Sequence, residues 1–170
     1  YNENNSGQSI LEANYGNLIF NDFNKTFASS GITGISGLFT PGIASGHIIA
    51  GSTINFNGGS QNIPEFVYNN LTTSGSGTKT GSGIITVNGS LTNQAGIVFS
   101  GMSALDLKGT TQNNSGTIST SNLSVGPGAT LTNDGTLTVS TTLSGSGTVS
   151  QGANAVLNIG GIADITTLNA

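Results

Sequence analysis

The chain has 170 residues, and charged side chains make up only 6% of them. It carries three lysines and no arginine against seven carboxylates, for a net charge of −4, so no basic patch can neutralise nucleic-acid phosphates. The absence of cysteine excludes disulfides and thiolate metal sites. No apolar stretch approaches the roughly 20 residues that cross a bilayer. We therefore expect neither nucleic-acid binding nor membrane insertion.

The N-terminal segment starts at Tyr1 with a polar run, which is followed by one compact apolar piece at residues 9–13. It has no initiator methionine, basic region or apolar region, which favours an exported chain whose signal has been removed, and thus an extracellular or cell-surface location. We predict that residues 1–14 form an extension that pairs, as an inter-subunit strand, with a neighbouring copy. The alternative is that this segment folds back over its own first coil as a cap. Residues 15–170 are predicted to form a single domain.

The first half of the chain contains a long-period repeat. Tyr15-Gly16-Asn17-Leu18 returns as Tyr68-Asn69-Asn70-Leu71, and Lys25-Thr26 returns as Lys79-Thr80. The offset of 53 to 54 residues predicts two copies of one template. Between the copies, residues 51–58 form a strand pattern that closes on an Asn-Gly turn.

A family resemblance rests on the order of four segments: the Phe-Thr-Pro-Gly turn at 39–42, the strand at 51–58, Gln-Asn-Ile-Pro at 61–64, and Phe-Val-Tyr-Asn-Asn-Leu-Thr at 66–72. This order resembles repeat units in very large secreted surface proteins of the Bacteroidota and Ignavibacteria, over about residues 10 to 92. The remainder is similar in composition to autotransporter passengers and filamentous-haemagglutinin-like proteins. The resemblance implies a right-handed β-helix displayed outside the cell, with an adhesive or architectural role and no catalytic residues.

The second half repeats at about twenty residues, because turn signals place Asn93, Asn113 and Asn133 twenty apart. Short runs between these turns alternate apolar and small polar side chains, which is strand periodicity. We predict an all-β fold, a parallel β-solenoid of about seven or eight coils of roughly 20 residues, with under about 5% helix. The three asparagines are predicted to stack as a ladder at equivalent corners. The side chains predicted to face inward are Leu91, Val98, Leu105, Leu107, Ile118, Leu123, Val125, Leu131, Leu137, Val139, Leu143, Val149, Leu157 and Ile159.

Candidate catalytic groups are few. His47 is the single histidine, no nucleophile-elbow motif accompanies it, and we expect it to be a solvent-facing strand or turn residue. The carboxylates have irregular spacings, and the glycine pairs lack the third glycine and the following helix of a phosphate loop. We expect no enzymatic activity, no cofactor and no metal site. The aromatic side chains, which are pooled early in the sequence, are expected to stack inside wider N-terminal coils instead of forming a sugar platform.

The C-terminal end shows no capping element, since residues 162–168 read as one more strand that runs almost to the last residue. We predict a structural subunit of an extracellular self-assembling filament or surface layer, joined head to tail with identical subunits. Its predicted assembly interface consists of Ile10, Leu11, Ala13, Tyr15, Ile162, Ile165 and Leu168. The alternatives are an adhesive or carbohydrate-binding module of a larger secreted surface protein, with polysaccharide or cell-surface contacts, and an ice-binding solenoid with a flat threonine face. For ice binding, the Thr-x-Thr pairs do not recur at one phase in every coil.

Overall fold

The computed structural model describes residues 7–43 and 45–169. This part of the chain contains 21 β-strands and no helix, so it holds no helix that could cross a membrane. The strands pair in parallel with strands about one coil away in sequence. The predicted all-β parallel solenoid is confirmed, with about eight turns of about 19 residues.

The strands follow one another in coils. Coils one to four contain β1 (Gln8–Ile10), β2 (Asn14–Tyr15), β3 (Leu18–Ile19), β4 (Lys25–Phe27), β5 (Ile32–Ile35), β6 (Phe39–Thr40), β7 (Thr53–Phe56), β8 (Gln61–Ile63), β9 (Phe66–Tyr68), β10 (Asn70–Thr73) and β11 (Thr78–Gly81). The remaining coils contain β12 (Ile84–Val87), β13 (Leu91–Asn93), β14 (Val98–Ser100), β15 (Ala104–Leu107), β16 (Thr111–Asn114), β17 (Thr117–Val125), β18 (Thr130–Asn133), β19 (Thr136–Gln151), β20 (Val156–Ile159) and β21 (Ile162–Asn169).

The register, together with the order along the chain, sorts the strands into three faces. Face A holds β2, β5, β7, β10, β13, β16 and β18. Face B holds β3, β6, β8, β11, β14 and β20, and face C holds β1, β4, β9, β12 and β15. The long strands β17, β19 and β21 bend around corners and contribute to two or three faces. Along the chain, each coil contributes first to face C, then to face A and then to face B.

The core is a narrow stack of inward side chains, as alternation requires. Eleven of the fourteen predicted inward residues are buried, and they include Leu105, Leu137 and Val149. The prediction for Val98 is wrong, because Val98 pairs with Thr117 on the outward side while its neighbour Phe99 stacks on Ile118. Leu157 and Ile159 pack against the core but stay half-buried, since β20 is the last strand of face B.

The aromatic side chains gather in the first four coils, as predicted. Ring centroids lie 5.1–6.4 Å apart, mostly in edge-on or tilted arrangements. Six rings form this interior cluster: Phe20, Phe27, Phe39, Phe56, Phe66 and Tyr68. Burial raises the pKa of the Tyr68 hydroxyl well above its usual value, and that hydroxyl donates a hydrogen bond of 2.9 Å to the carbonyl oxygen of Pro64.

The two long-period copies in the first half are not structurally equivalent. Tyr15 lies on face A, whereas Tyr68 lies on face C; Lys25 lies on face C, whereas Lys79 lies on face B. An offset of 53 to 54 residues spans about two and two-thirds coils of roughly 20 residues, so the second copy is displaced by a whole face. The shared template is therefore a pattern of sequence and not a structural repeat.

The predicted boundary between an extension at 1–14 and a domain at 15–170 also differs from the structure. Strand β1 pairs with β4 of the same chain, with Gln8 opposite Lys25 and Ile10 opposite Phe27. The solenoid thus begins no later than Gln8, because 8–14 already supply part of the first coil. Residues 1–6 of the predicted extension lie outside the described residues.

Candidate functional site

The chemistry-bearing side chains are dispersed. Within residues 7–43 and 45–169, no three His, Asp or Glu side chains come together in a group that could hold a metal ion. Glu12 accepts a hydrogen bond of 3.1 Å from Ser30, at an exposed position. The features that stand out are instead a buried line of amides, a buried lysine, and the two ends of the solenoid.

His47 is half-buried, so its prediction as a solvent-facing residue is wrong. The backbone N–H of Lys25 donates to its Nδ1 at 3.0 Å, and its Nε2 lies 3.1 Å from the carbonyl oxygen of Pro41. Its ring also packs 5.5 Å from Phe20 and 5.7 Å from Phe66. A donor to Nδ1 and an acceptor at Nε2 are both satisfied by the neutral tautomer with its proton on Nε2. His47 therefore anchors the connection between β6 and β7 to the aromatic cluster.

A continuous amide ladder runs along the inner corner of face A. Asn93 Nδ2 donates to Asn114 Oδ1 at 2.8 Å, and Asn114 Nδ2 donates to Asn133 Oδ1 at 2.7 Å. The ladder starts at Thr73, whose hydroxyl donates to Asn93 Oδ1 at 2.6 Å, and it ends at Gln151, which accepts from Asn133 at 2.8 Å. All these amides donate toward the C-terminal end, and such a chain of buried hydrogen bonds polarises its members cooperatively.

The ladder differs from the prediction at one rung. Asn113 pairs with Thr92 and Thr132 on the outward side, so the prediction of Asn113 is wrong and its neighbour Asn114 takes the place. Asn93 and Asn133 do belong to the ladder. The asparagines end strands instead of forming left-handed corners, since none of the described residues other than glycine has a positive φ. The twenty-residue spacing failed here because successive coils differ in length by one or two residues.

The amides also hold the corners between faces A and B. Asn93, Asn114 and Asn133 each donate a second hydrogen bond, to the carbonyl oxygens of Thr117, Thr136 and Val156 at 3.1, 2.9 and 3.1 Å. Each rung thus ties the last residue of a face A strand to the first residue of a face B strand.

Lys79 is a fully buried lysine on face B whose ammonium is surrounded by neutral oxygens. Its Nζ donates to the carbonyl oxygen of Gly58 at 2.8 Å, to that of Gly59, and to Gln61 Oε1 at 2.8 Å. Burial lowers its pKa from the ordinary lysine value. No carboxylate is among the acceptors that Nζ bonds. The lysine therefore closes the corner of a neighbouring coil as the amides do.

The C-terminal end leaves its inward positions open. Leu137 and Leu143 are fully buried, while Leu157 and Ala163, which pair with them one coil further on, are half-buried and exposed, and Ile165 is half-buried. Leu168 continues the inward column of Val149 and is 47% exposed. Ile162, an outward residue of β21, is 66% exposed. Three predicted interface residues, Ile162, Ile165 and Leu168, thus lie together on this end.

The N-terminal end is closed at its centre and apolar at its margin. Ile10 is fully buried against Phe27, so it cannot serve as a contact residue and its inclusion in the interface is wrong. Leu11 is 64% exposed and Ala13 is exposed. Tyr15 is half-buried, and its hydroxyl donates to the carbonyl oxygen of Leu11 at 3.0 Å. Leu11, Ala13 and Tyr15 therefore lie beside one another on the first coil.

Two buried polar atoms mark the end coils. Gln8 Oε1 in the first coil and Gln151 Nε2 at the end of the amide ladder make no hydrogen bond in the part of the chain that the structure describes. Asn57 Oδ1, in coil three, is the third such atom. A buried polar group without a partner costs about 1–3 kcal/mol, so both ends leave groups that a further layer could satisfy.

Face A presents a flat polar surface. Across seven consecutive coils, each outward position carries Thr, Ser or Asn, in two columns about 4.8 Å apart from coil to coil. The first column holds Thr53, Asn70, Ser90, Thr111, Thr130, Thr148 and Thr167, and the second holds Asn55, Thr72, Thr92, Asn113, Thr132, Ser150 and Asn169. Strict Thr-x-Thr pairs are divided between face A, at 130/132, and face B, at 78/80 and 136/138. This division keeps the threonines from forming one regular lattice.

Comparisons with known proteins give no relative: the sequence matches no protein-family model, and neither the curated proteins nor the solved structures include a significant match.

Proposed function

We propose that this chain is a structural subunit of an extracellular filament or surface layer, in which identical solenoids stack head to tail and no reaction is catalysed. The observation that carries this proposal is the exposure of inward side chains in the last described coil. This coil keeps the register of the solenoid, yet Leu157, Ala163 and Leu168 are more exposed than Leu137, Leu143 and Val149, which hold the same inward positions one coil earlier. A further coil laid on this end would bury them at about 25 cal/mol per Å² of apolar surface.

Backbone pairing supports the same arrangement. An end strand of a parallel sheet presents unpaired N–H and C=O groups, which template the addition of another strand. A contact between a C-terminal end and an N-terminal end does not close on itself and generates an open fibre. The N-terminal end offers Leu11, Ala13 and Tyr15 as its apolar margin. The resemblance to secreted surface repeats agrees with an extracellular location.

The test is a matched pair of variants, because Leu168 and Leu38 are both 47% exposed but only Leu168 lies on the C-terminal end. The purified chain should form rods of indefinite length by negative-stain electron microscopy. Leu168→Asp places a charge in the stacking contact, and we expect soluble, folded monomers by light scattering and circular dichroism. Leu38→Asp should leave the rods intact. Monomeric wild-type protein at all concentrations, or equal assembly of both variants, contradicts the proposal.

The second candidate is an adhesive or carbohydrate-binding module, which the flat polar face A favours. Its uncharged hydroxyls and amides match the hydroxyl groups of a polysaccharide, and their repeat suits a ligand that is itself periodic. Thr92→Lys together with Thr132→Lys would interrupt this surface without changing the core, since both positions face outward. If the chain binds insoluble polysaccharide in a pull-down and the double variant does not, this function gains support. Equal binding by both proteins rejects face A as the site.

A further inference from the structure

The parallel sheet is interrupted between two parts of the described chain. The N-terminal unit comprises residues 7–43 and 45–50, and the long unit comprises residues 53–169. Strands β1 to β6 pair only within the N-terminal unit, apart from one pairing of β5 with β7 on face A. On the other side, β8 pairs with β11 and β9 with β12, which all belong to the long unit. The described strands of faces B and C therefore meet along a seam that no strand pairing crosses.

The covalent connection between the units lies beside that single pairing. The chain passes from one unit to the other through residues 50–52, directly before β7. Gly51 in this connection has a φ of 79°, in the left-handed region that glycine adopts at little cost. Because the connection and the β5–β7 pair lie together, a rotation about them would separate the units on faces B and C without breaking a strand pair. This is the geometry of a hinge.

The seam is closed largely by aromatic side chains. Phe39 of the N-terminal unit lies 5.6 Å from Phe66 and 6.2 Å from Phe56 of the long unit, measured between ring centroids. Phe27 and His47 of the N-terminal unit lie 6.4 and 5.7 Å from Phe66. Ring contacts have no strand register to lose, so they can separate and form again as a group.

Solvent already enters the seam on face C. Ile49 is half-buried, although Phe27, the next inward residue on one side, and Tyr68, the next on the other, are both buried. A cavity of about 330 Å³ lies here between the units, lined by Ser45, His47, Ile49, Phe66 and Val67. The closed form is therefore packed less tightly at the seam than on either side of it.

A side chain of β8 fastens the seam on face B. Gln61 Nε2 donates to the carbonyl oxygens of Ile35 and Gly37 in the N-terminal unit, at 2.9 Å each. Its Oε1 accepts from Lys79 Nζ and from the backbone N–H of Gly58, at 2.8 Å each. These two donors fix the orientation of the amide, so that its NH₂ group points across the seam.

We infer that the N-terminal unit is hinged, and that it opens as one body about the β5–β7 pair, with Gln61 as the latch. The strand pairs inside each unit stay intact when it opens. Opening breaks the bonds of Gln61 to Ile35 and Gly37 and uncovers the rings of Phe39 and Phe66. This motion does not depend on contacts between copies of the chain, so it applies to a single molecule as well as to a filament.

Two matched thiols test the opening on a background that contains no cysteine. Ile63 lies on β8 beside the seam and Ile118 on β17 inside the long unit, and both are fully buried inward residues of face B. Opening at the seam requires less free energy than unfolding of the long unit. In native buffer, iodoacetamide should therefore label Ile63→Cys at least about tenfold faster than Ile118→Cys. Equal labelling rates overturn the inference.

The latch is tested by matched glutamines. Gln61→Leu removes the two bonds across the seam and should accelerate labelling of Ile63→Cys by about tenfold. The control is Gln112→Leu, because Gln112 Nε2 also donates to two carbonyl oxygens and its Oε1 also accepts a backbone N–H, but all within the long unit. It should leave the labelling rate of Ile63→Cys unchanged. Equal rates in the two variants overturn the role of Gln61.

Amide exchange separates opening of the unit as one body from unfolding of the unit. The N–H of Phe27 donates to the carbonyl oxygen of Ile48, and the N–H of Ile48 donates to that of Lys25, at 2.9 Å each. Both bonds lie inside the N-terminal unit. These two amides should keep protection factors at least about tenfold above that of the thiol in Ile63→Cys. Equal protection would show that the unit unfolds instead of turning on a hinge, and so overturns the inference.

Discussion

The interior is filled differently in the two halves of the solenoid: the N-terminal coils, residues 7–68, and the C-terminal coils, residues 84–169. The N-terminal coils fill their interior with aromatic rings, and their faces are interrupted, because β1 pairs only with β4 and β3 only with β6 among the described strands. The C-terminal coils use aliphatic side chains and the amide ladder, and their three faces are continuous. Large rings tolerate coils of unequal shape, whereas an amide ladder requires a nearly constant register.

Regular stacking of the coils provides hydrogen-bond partners for buried polar groups. Where the register holds, each buried polar group finds the same partner one coil away, as Asn114 finds Asn133. Where the register is broken, individual side chains satisfy the buried polar groups. For example, His47 Nδ1 accepts a hydrogen bond from the backbone N–H of Lys25. Close stacking also restricts which residues can occupy a corner. A Cβ on Gly109 would lie 1.8 Å from the carbonyl oxygen of Gly89, so this corner admits no side chain.

The largest expected effect is a charge in the regular half. Leu137→Asp buries an unpaired carboxylate in a stack one side chain thick, and should cost several kcal/mol of unfolding free energy. The loss should be confined to the C-terminal coils, because each coil contacts only its neighbours. The three tyrosines lie at positions 1, 15 and 68, so tyrosine fluorescence reports on the N-terminal coils alone. Urea titration should show the far-UV circular dichroism transition falling well below the fluorescence transition. Thr138→Asp, on the outward side, is the control.

A second variant reverses this test in the aromatic half. Phe39 is buried, and its ring lies 5.5 Å from Phe20 and 5.6 Å from Phe66, so Phe39→Ala should cost about 3–5 kcal/mol. Here the fluorescence transition should shift, while amide hydrogen exchange in coils five to eight stays protected. Thr40→Ala changes the exposed neighbour and should have little effect. Equal loss of protection in both halves would show that the solenoid unfolds as one unit.

The amide ladder is tested by two adjacent asparagines. Asn114→Ala removes one rung and leaves Asn93 Nδ2 and Asn133 Oδ1 each without one hydrogen bond, which should cost about 1–3 kcal/mol. Asn113→Ala, on the outward side of the same strand, should change the stability by less than about 0.5 kcal/mol. The measurement is the shift in the urea midpoint followed by circular dichroism. Similar shifts for the two variants would rule out the ladder as a source of stability.

The smallest expected effect is the pH dependence due to Lys79. Burial lowers its pKa in the folded chain, so between the folded and unfolded pKa values the unfolded state binds more protons. Stability should therefore rise as pH increases toward the ordinary lysine value of about 10.4. Tyr68 acts in the opposite sense above about pH 10, because its folded pKa is raised. Urea midpoints between pH 7 and about 9.8 should rise more steeply for the wild type than for Lys79→Met. Parallel slopes would contradict the assignment.

Much of the fold could be predicted because alternation and a short period are local properties of the sequence. Regular spacing predicts the inward positions of Leu131, Leu137 and Val149. The amide ladder was predicted only in part, since Gln112 and Asn114 face inward without being apolar and so leave no hydrophobic signal at that strand. Because this coil is one residue longer than the assumed twenty, the spacing pointed to Asn113 as the ladder residue instead of Asn114.

The ends of the molecule were the least predictable. The first coil lacks the alternating pattern of the later ones, and its strand β1 is defined by pairing with β4, which is a contact across 17 residues. The half-buried state of His47 likewise depends on two aromatic residues, Phe20 and Phe66, from two different coils. Contacts of this kind are set by the folded coil and not by neighbours in sequence.

The direction of the backbone hydrogen bonds has a mechanical consequence. Those bonds run along the solenoid axis, whereas the covalent chain runs around it, so tension along the axis loads the bonds of all three faces together. When one coil gives way, it releases about twenty residues, or roughly 65 Å of contour length, from a layer only about 4.8 Å thick. Each layer that yields would lengthen more than tenfold, so a rod of such coils would dissipate work before it breaks.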